Sequence, residues 1–195
     1  IILIILSKRV KLMKSFHGKT IVLRPVEISD YEFIHSLRVA PKSTKFLSIV
    51  DDDPLQQKRW LEQYKKREDA GEECYFLIQR VDNAQSVGSL RAYNIDNEKK
   101  TAQCGSWILN ENKTMTSAVE SILLLCEAMD ELGMKKVIVD ARKDHAMALR
   151  FIKKISQRFH SEDATNFYYE IDMPVIMTEF YKDNHHYIER DIAQA

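Results

Sequence analysis

The chain has 195 residues, of which 45% are hydrophobic and 30% are charged, and this is enough to form one globular domain with a substantial core. Its 29 basic and 29 acidic residues give a formal net charge of zero, which argues against a nucleic acid as the main partner. The three cysteines show no CxxC spacing, which argues against a disulfide scaffold or a zinc site and favours a reducing, cytoplasmic location.

The N-terminal segment is apolar from Ile1 to Leu6 and basic over the residues that follow. This apolar run is too short for a transmembrane helix, which needs about 20 residues. A secretory signal would carry its positive charges before the apolar run, so we expect no membrane partner. We interpret residues 1–13 as an N-terminal extension, non-native or translated from an upstream start, and residues 14–195 as a single domain.

The first half of the chain predicts one strand, two helices and three further strands. Residues 20–26 alternate apolar and polar side chains, as a half-buried strand does. Ser29 and Glu32 have the spacing of a capping box before the first helix, and the Asp53-Pro54 pair is typical of a helix start. The three further strands are predicted at residues 75–81, 87–94 and 102–109, the last two as an antiparallel pair.

The second half centres on a long helix. Its apolar residues step by four and three from Ala118 to Leu132, and Gly133 follows where a C-terminal cap is expected. Ser117 and Glu120 have the capping-box spacing at its start. The elements predicted after it are a strand at residues 136–141, a helix at about 144–155, and two closing strands at residues 167–171 and 175–181.

The order β-α-α-β-β-β-α-β-α-β-β predicts a mixed sheet with a right-handed β-α-β crossover at the central helix. The order and the local sequences resemble the GNAT superfamily of acetyl-CoA-dependent N-acetyltransferases over residues 20–181. The segment LRPVEISD (residues 23–30) resembles the opening of the branch that acetylates ribosomal-protein termini and sugar amines, and Glu120 matches a glutamate frequent in that branch. GSWIL (residues 105–109) resembles its fourth strand, and residues 131–155 resemble the strand and helix that follow the central helix. The resemblance implies an α/β (α+β) GNAT fold, with a mixed central sheet of about seven strands and helices on both faces.

The departures from the family pattern fall on functional positions. The family's pyrophosphate loop has the pattern Q/R-x-x-G-x-G/A, whereas residues 113–118 are KTMTSA and contain no glycine. The family's asparagine is replaced by His145, and its Gly-Phe pair by Ser156-Gln157. A tyrosine that many members use as a general acid is replaced by Ile152.

The loop at residues 113–118 nevertheless keeps the physical basis of a phosphate site. A helix N-terminus presents unpaired N–H groups and a partial positive charge, and threonine or serine hydroxyls with Lys113 can supply further contacts. The resemblance also implies that backbone groups at the end of the fourth strand bind the pantetheine arm and stabilise an oxyanion. We therefore predict acetyl-CoA as a co-substrate. The predicted cofactor-binding residues are Ile108, Leu109, Asn110, Lys113, Met115, Thr116, Ser117, Ala118, Arg142, Lys143 and His145.

We predict the residues for proton transfer and for acceptor binding from their positions in the GNAT fold that the resemblance implies. An imidazole such as that of His145 titrates near neutral pH, and arginines suit an acceptor that carries a phosphate. The pair His185-His186 has no third ligand nearby in the sequence, so no metal site is predicted. The predicted catalytic residues are Tyr93, Ser106, His145 and Glu73, and the predicted substrate-binding residues are Arg38, Arg91 and Tyr93.

Three functions remain open from the sequence. The favoured one is transfer of an acetyl group to the primary amine of an amino sugar or a nucleotide-linked amino sugar, by a monomer or a homodimer. The second is a protein N-terminal or lysine acetyltransferase of the ribosomal-protein type, and the third is a catalytically inactive GNAT-fold binding protein. A basic cleft around Arg38 and Arg91 would favour the sugar nucleotide, an acidic cleft would favour a peptide, and a blocked opening between the fourth and fifth strands would favour the inactive protein.

Overall fold

A mixed β-sheet with helices on its two faces organises the chain. The computed structural model describes residues 14–41, 50–156 and 158–189, and the predicted N-terminal extension and Gln157 lie outside these ranges. The strands are β1 (Phe16–His17), β2 (Ile21–Pro25), β3 (Cys74–Arg80), β4 (Ser86–Asp96), β5 (Thr101–Leu109), β6 (Lys136–Arg142), β7 (Arg158–Glu162) and β8 (Asn166–Asp172). The helices are α1 (Tyr31–Val39), α2 (Pro54–Asp69), α3 (Ser117–Glu131) and α4 (Ala146–Ile155), followed by a C-terminal helical segment over residues 173–187.

The strands follow the order β1-β2-β3-β4-β5-β6-β8-β7 across the sheet. β5 and β6 run parallel and are joined through α3, whereas the other neighbouring pairs of the described strands are antiparallel. This confirms the predicted mixed sheet and its β-α-β crossover. Six of the seven predicted strands are present, and β1 and β7 are additional.

The strand predicted at residues 175–181 is wrong, because this part of the chain is helical. The Asp172 side chain accepts a hydrogen bond from the N–H of Val175 at 3.2 Å and caps the helix Met173–Ile176, which continues into a π-helical turn. Pro174 lies in the first helical turn, where its missing N–H costs nothing. β-Branched and aromatic side chains favoured a strand, but the cap and the proline determine the outcome. β7 was not predicted because its residues are exposed and lack apolar alternation.

Helices cover both faces of the sheet, as the resemblance implied. α1 and α2 pack on one face around a buried cluster that includes Ile34, Leu61 and Tyr75. α3 and the C-terminal helical segment pack on the opposite face around a larger cluster that includes Leu123. Gly133 has φ +69°, which confirms the predicted C-terminal cap of α3.

The capping box before α1 joins residues other than the predicted pair. Glu27 and Asp30 form it, rather than Ser29 and Glu32. The guanidinium of Arg24 donates hydrogen bonds of 2.8 and 2.6 Å to the Asp30 carboxylate. This ion pair fixes Asp30 at the point where the chain turns from β2 into α1, and it thereby moves the box two residues upstream.

Glu120 does not form the predicted capping box with Ser117 at the start of α3. Its buried carboxylate accepts hydrogen bonds from the N–H and the hydroxyl of Thr20 at 2.9 and 2.6 Å, and from the Thr116 hydroxyl at 2.5 Å. Ser117 is also buried and instead accepts from the N–H of Thr114 at 2.9 Å. Glu120 therefore ties the start of β2 to the loop that precedes α3.

We expect Glu120→Ala to lower the free energy of unfolding by roughly 2–3 kcal/mol, because it removes the buried carboxylate that accepts from the part-buried N–H and the hydroxyl of Thr20 and from the Thr116 hydroxyl. Urea denaturation at constant m-value measures this. Glu131→Ala on the same helix is the control, since Glu131 is solvent-exposed and pairs only with exposed Lys14 at 2.5 Å; its effect should stay within about 0.5 kcal/mol. Equal losses in the two variants would contradict an anchoring role for Glu120.

Candidate active site

The sheet opens between β5 and β6. Their parallel pairing joins Thr101–Cys104 to residues 136–139 and ends there. Beyond that point β5 continues along β4, and residues 140–142 of β6 pair with β8. The facing edges of β5 and β6 are therefore free to bind an extended ligand through their backbone groups. The blocked opening expected for a catalytically inactive protein is not observed between these described strands.

A β-bulge turns β5 away from β6 at this opening. Gly105 lies opposite Arg91, but Ile108 lies opposite Ser89, so that two residues of β5 face one residue of β4. Ser106, inside the bulge, has φ +52°, a left-handed conformation that is strained for a residue other than glycine. Bulges of this kind end a pairing and redirect side chains next to active sites.

A pocket of about 450 Å³ lies beside the opening on the face covered by α1 and α2. Four of the predicted site residues meet in it, from three different elements. The lining residues are His35, Arg38, Val50, Asp51, Gln56, Gln57, Trp60, Tyr75, Arg91, Tyr93 and Ser106.

The pocket is basic. Burial and the neighbouring charge of Arg91 lower the pKa of Arg38, as expected for two guanidinium groups that share a partly desolvated site. The Arg91 guanidinium lies 5.1 Å from the ring centre of Trp60 and 4.5 Å from that of Tyr93, within the range of cation–π contact. Asp51 is the one acidic residue among the lining residues, so the pocket favours an anionic ligand.

Tyr93 and Glu73, both predicted to act in proton transfer, have different surroundings. Burial, together with the charge of Asp140, raises the pKa of Tyr93 to about 12, so its phenol is protonated at neutral pH. Glu73 does not line the pocket. Its carboxylate lies 2.9 Å from Arg67 Nε and 3.7 Å from Arg91 Nε, where it positions the arginines.

The hydroxyls of the loop at residues 113–118 turn inward. The Thr114 hydroxyl bonds to those of Thr20 and Ser117 at 2.6 and 2.8 Å, and the Thr116 hydroxyl donates to Glu120. We had expected these hydroxyls to replace the contacts that glycines permit at the phosphate. They instead fix the loop by bonding to one another, to Thr20 and to Glu120.

The backbone N–H groups at the start of α3 and at the end of β5 differ in whether they already have a hydrogen-bond partner. The helical ladder of α3 begins with Glu120, so the N–H groups of Ala118 and Val119 lie outside it. The N–H of Asn110 donates to the Val87 carbonyl at 2.8 Å, which removes it as an oxyanion donor. Because successive N–H groups of an antiparallel strand point to opposite sides, that of Leu109 is directed toward the opening.

Arg142, Lys143 and His145, which were predicted to bind the cofactor, lie at the end of β6 and just after it, and they do not line the pocket. Arg142 Nε is 3.1 Å from the Asp144 carboxylate, and Lys143 Nζ is 2.8 Å from that of Glu162. His145 occupies the N-cap position of α4. The partner carboxylates offset the positive charges of Arg142 and Lys143, which were predicted to contact CoA.

Several residues of the site were not predicted. His35 lies three residues before Arg38, a spacing that places both on one face of α1, and its Nε2 is 3.0 Å from the Asp51 carbonyl oxygen. Trp60, on α2, also lines the pocket. Asp140 lies in an apolar strand sequence, and its placement at the opening depends on where the β5–β6 pairing ends.

The described residues contain no group of three or more His, Cys, Asp or Glu placed to hold a metal ion. Among their helices, none combines the length and the apolar character that crossing a bilayer requires. Cys74, Cys104 and Cys126 are buried free thiols, and burial raises the pKa of Cys74 and Cys126 to about 12. Neutral buried thiols are poor nucleophiles, which makes a covalent acyl-cysteine route unfavourable.

Several solved structures are similar to this chain. The apo form of FdhC, a nucleotide-linked sugar GNAT, has a TM-score of 0.79 and 34% identity, covering 91% of this chain and 100% of that chain. The ribosomal L7/L12 alpha-N-protein acetyltransferase RimL has a TM-score of 0.68 and 14% identity, covering 82% and 94%. The spermidine N-acetyltransferase from Vibrio cholerae in complex with CoA and spermine has a TM-score of 0.65 and 16% identity, covering 80% and 96%. At these identities the last two structures support the fold alone.

A comparison with curated protein sequences returned no significant match. A family model described as an acetyltransferase (GNAT) domain matches residues 20–156, a range that includes the opening, the pocket and the loop before α3. Together with the relative that is matched over its whole length at 34% identity, this shows that the chain belongs to the GNAT acetyltransferase family and is an N-acetyltransferase.

Proposed function

We propose that this protein transfers the acetyl group of acetyl-CoA to the primary amine of a nucleotide-linked amino sugar. The observation that carries the proposal is the basic pocket on the α1–α2 face, where Arg38 and Arg91 line a cavity next to the opening of the sheet. Guanidinium groups bind phosphate oxygens through charge-assisted, often paired hydrogen bonds. The 34% identical relative described as a nucleotide-linked sugar GNAT supports the same class of acceptor.

The aromatic residues of the pocket suit the same ligand. Trp60 stacks on Tyr64 with ring centres 5.8 Å apart, and its other contacts include Arg91 and Arg67. These contacts hold the indole in one orientation at the wall of the pocket. We infer that the diphosphate of the acceptor lies between Arg38 and Arg91, and that the base or sugar ring packs against the indole.

The reaction we infer is direct. The neutral amine attacks the thioester carbonyl carbon, a C–N bond forms, and the C–S bond breaks. The N–H of Leu109 is the proposed donor to the developing oxyanion. The departing thiolate takes a proton, for which the protonated phenol of Tyr93 is the proposed source; Ile152, at the family's tyrosine position, is buried against Ala141 and Tyr169.

Acetylation of a protein N-terminus or a lysine remains the alternative. A peptide amine would be better matched by an acidic groove, whereas two arginines and one aspartate are the charged residues that line this pocket. The similarity to the ribosomal-protein acetyltransferase, at 14% identity, extends to the fold. Cytoplasmic location and a monomeric or homodimeric state stay predictions.

We expect acetyl-CoA and CoA to bind saturably at micromolar concentrations, measured by isothermal titration calorimetry. Ala118→Glu should weaken binding at least 10-fold, because it places a negative charge beside the N–H groups that receive the phosphates. Ala118→Gln, which has the same shape without the charge, should bind almost as the wild type does. Since a glutamate in the first turn does not destabilise a helix, both variants should fold. Equal binding by the two variants would exclude the loop as the phosphate site.

We expect Arg38→Gln and Arg91→Gln each to raise KM for UDP-glucosamine roughly 10-fold or more, since a charge-assisted hydrogen bond contributes about 1.5–3 kcal/mol. The KM for acetyl-CoA should not change, and neither should the weak activity toward free glucosamine. An assay of the released CoA thiol measures the two KM values and the activity toward free glucosamine.

Arg59→Gln is the matched control, because Arg59 is exposed on α2 and does not line the pocket. A wild-type protein that acetylates an N-terminal peptide faster than any nucleotide-linked amino sugar, with no effect of either arginine variant, would overturn the proposed acceptor in favour of the peptide.

A further inference from the structure

Asp140 lies at the point where β5 and β6 separate. Val139, the residue before it, is paired with Cys104, so Asp140 is the first residue of β6 beyond the paired segment. In a parallel pair, residues in register share a face of the sheet, and Asp140 therefore faces the same side as Gly105. Gly105 lies opposite Arg91 of β4. Asp140 thus faces the side of the acceptor pocket.

Two polar side chains converge above Gly105. A Cβ atom placed at Gly105 would lie 3.4 Å from the hydroxyl oxygen of Tyr93 and 3.8 Å from Oδ1 of Asp140. Glycine leaves this position empty, and the phenol and the carboxylate border it from opposite sides of β5. A water molecule or an amine nitrogen fits such a space and can bond to both groups.

We propose that Asp140 is the proton acceptor of the reaction and that Tyr93 is the donor opposite it, with Gly105 keeping the space between them open. This inference rests on the proposed function. The substrate ammonium gives one proton to the Asp140 carboxylate, directly or through one water. The freed amine then forms the C–N bond as the C–S bond breaks, the second amine proton leaves to solvent, and the thiolate receives the proton of Tyr93.

The residues around Asp140 make its carboxylate a stronger proton acceptor. Burial raises its pKa, and the negative charge of Asp163 in the β7–β8 turn raises it further. Tyr168, across from it on β8, donates to Asp163 at 2.7 Å. Arg142, two residues further along β6, pairs with Asp144. Arg91 of β4 likewise pairs with Glu73 at 3.7 Å, so both arginines have carboxylate partners other than Asp140.

The proposed role of Asp140 as a base determines how kcat depends on pH. The carboxylate must be deprotonated to accept a proton, so kcat falls as the pH is lowered through its pKa. Because that pKa is raised, the acid limb of the profile lies above the ordinary range for an aspartate.

The test uses the full-length protein and the nucleotide-linked amino sugar that gives the highest kcat/KM. Asp140→Asn should lower kcat roughly 100-fold or more, remove the acid limb and leave the affinity for acetyl-CoA unchanged. Asp140→Glu should restore part of kcat. An acceptor analogue with a hydroxylamine in place of the amine binds already neutral, so it should react nearly as well with Asp140→Asn as with the wild type. A purely structural role would not produce this rescue.

Two further variants keep the result interpretable. Asp96→Asn, at the opposite end of the β4–β5 pair and bonded to the turn at Glu98 and Lys99, should keep full activity. The methyl group of Gly105→Ala would make only ordinary van der Waals contacts, so this variant should fold. Its kcat should nevertheless fall, because the methyl group fills the space between Tyr93 and Asp140. If the wild type is active and Asp140→Asn has the same kcat, the proposed role of Asp140 is wrong, and the proposed function still stands. A wild type that is inactive with every acceptor would overturn the proposed function and this role together.

Discussion

The parallel pairing of β5 with β6 ends at Cys104 and Val139, and the proposed reaction depends on that end. A strand inside a sheet has no backbone groups to spare, because nearly all buried N–H and C=O groups are paired. The bulge at Ser106 turns β5 aside, and residues 140–142 of β6 keep β8 as their partner. The sheet remains continuous around the opening, so backbone donors become available without loss of the core.

Side-chain hydrogen bonds, rather than glycines, determine the conformation of the loop before α3. A glycine-rich loop lets the backbone approach a phosphate closely, but it must lose more conformational entropy on folding. Here Thr114, Thr116 and Ser117 are bonded to one another, to Thr20 and to the buried Glu120. The loop is thereby ordered before any ligand binds, and a preorganised loop loses less entropy on binding. The negative charge of Glu120 is directed to Thr20 and Thr116, so it does not oppose an anion at the N–H groups.

The sequence predicts the elements that have strong local signals and misses those that depend on tertiary pairing. The apolar stripe of α3 and Gly133 at its end were sufficient to place that helix. Residues 175–181 carry strand-forming side chains, yet Asp172 and Pro174 start a helix there. Arg38 and Arg91 were named together as a possible basic cleft, whereas the fold brings Tyr93 and Ser106 into the same pocket. Asp140 could not be found in this way, because its position beside Gly105 is set by the register and the end of the β5–β6 pairing.

The distribution of charge in the site favours one orientation of the proposed acceptor. The two arginines lie on α1 and β4, toward α2, whereas Asp140 lies across β5 on β6. A nucleotide-linked amino sugar carries its negative charge on the diphosphate and its positive charge on the ammonium. Bound with the diphosphate at the arginines, it extends the ammonium toward Gly105, Tyr93 and Asp140. The reverse orientation would place an ammonium beside two guanidinium groups and a diphosphate beside a carboxylate, and like charges in a partly desolvated site cost several kcal/mol. The same charges that select the acceptor therefore also orient its amine toward the thioester.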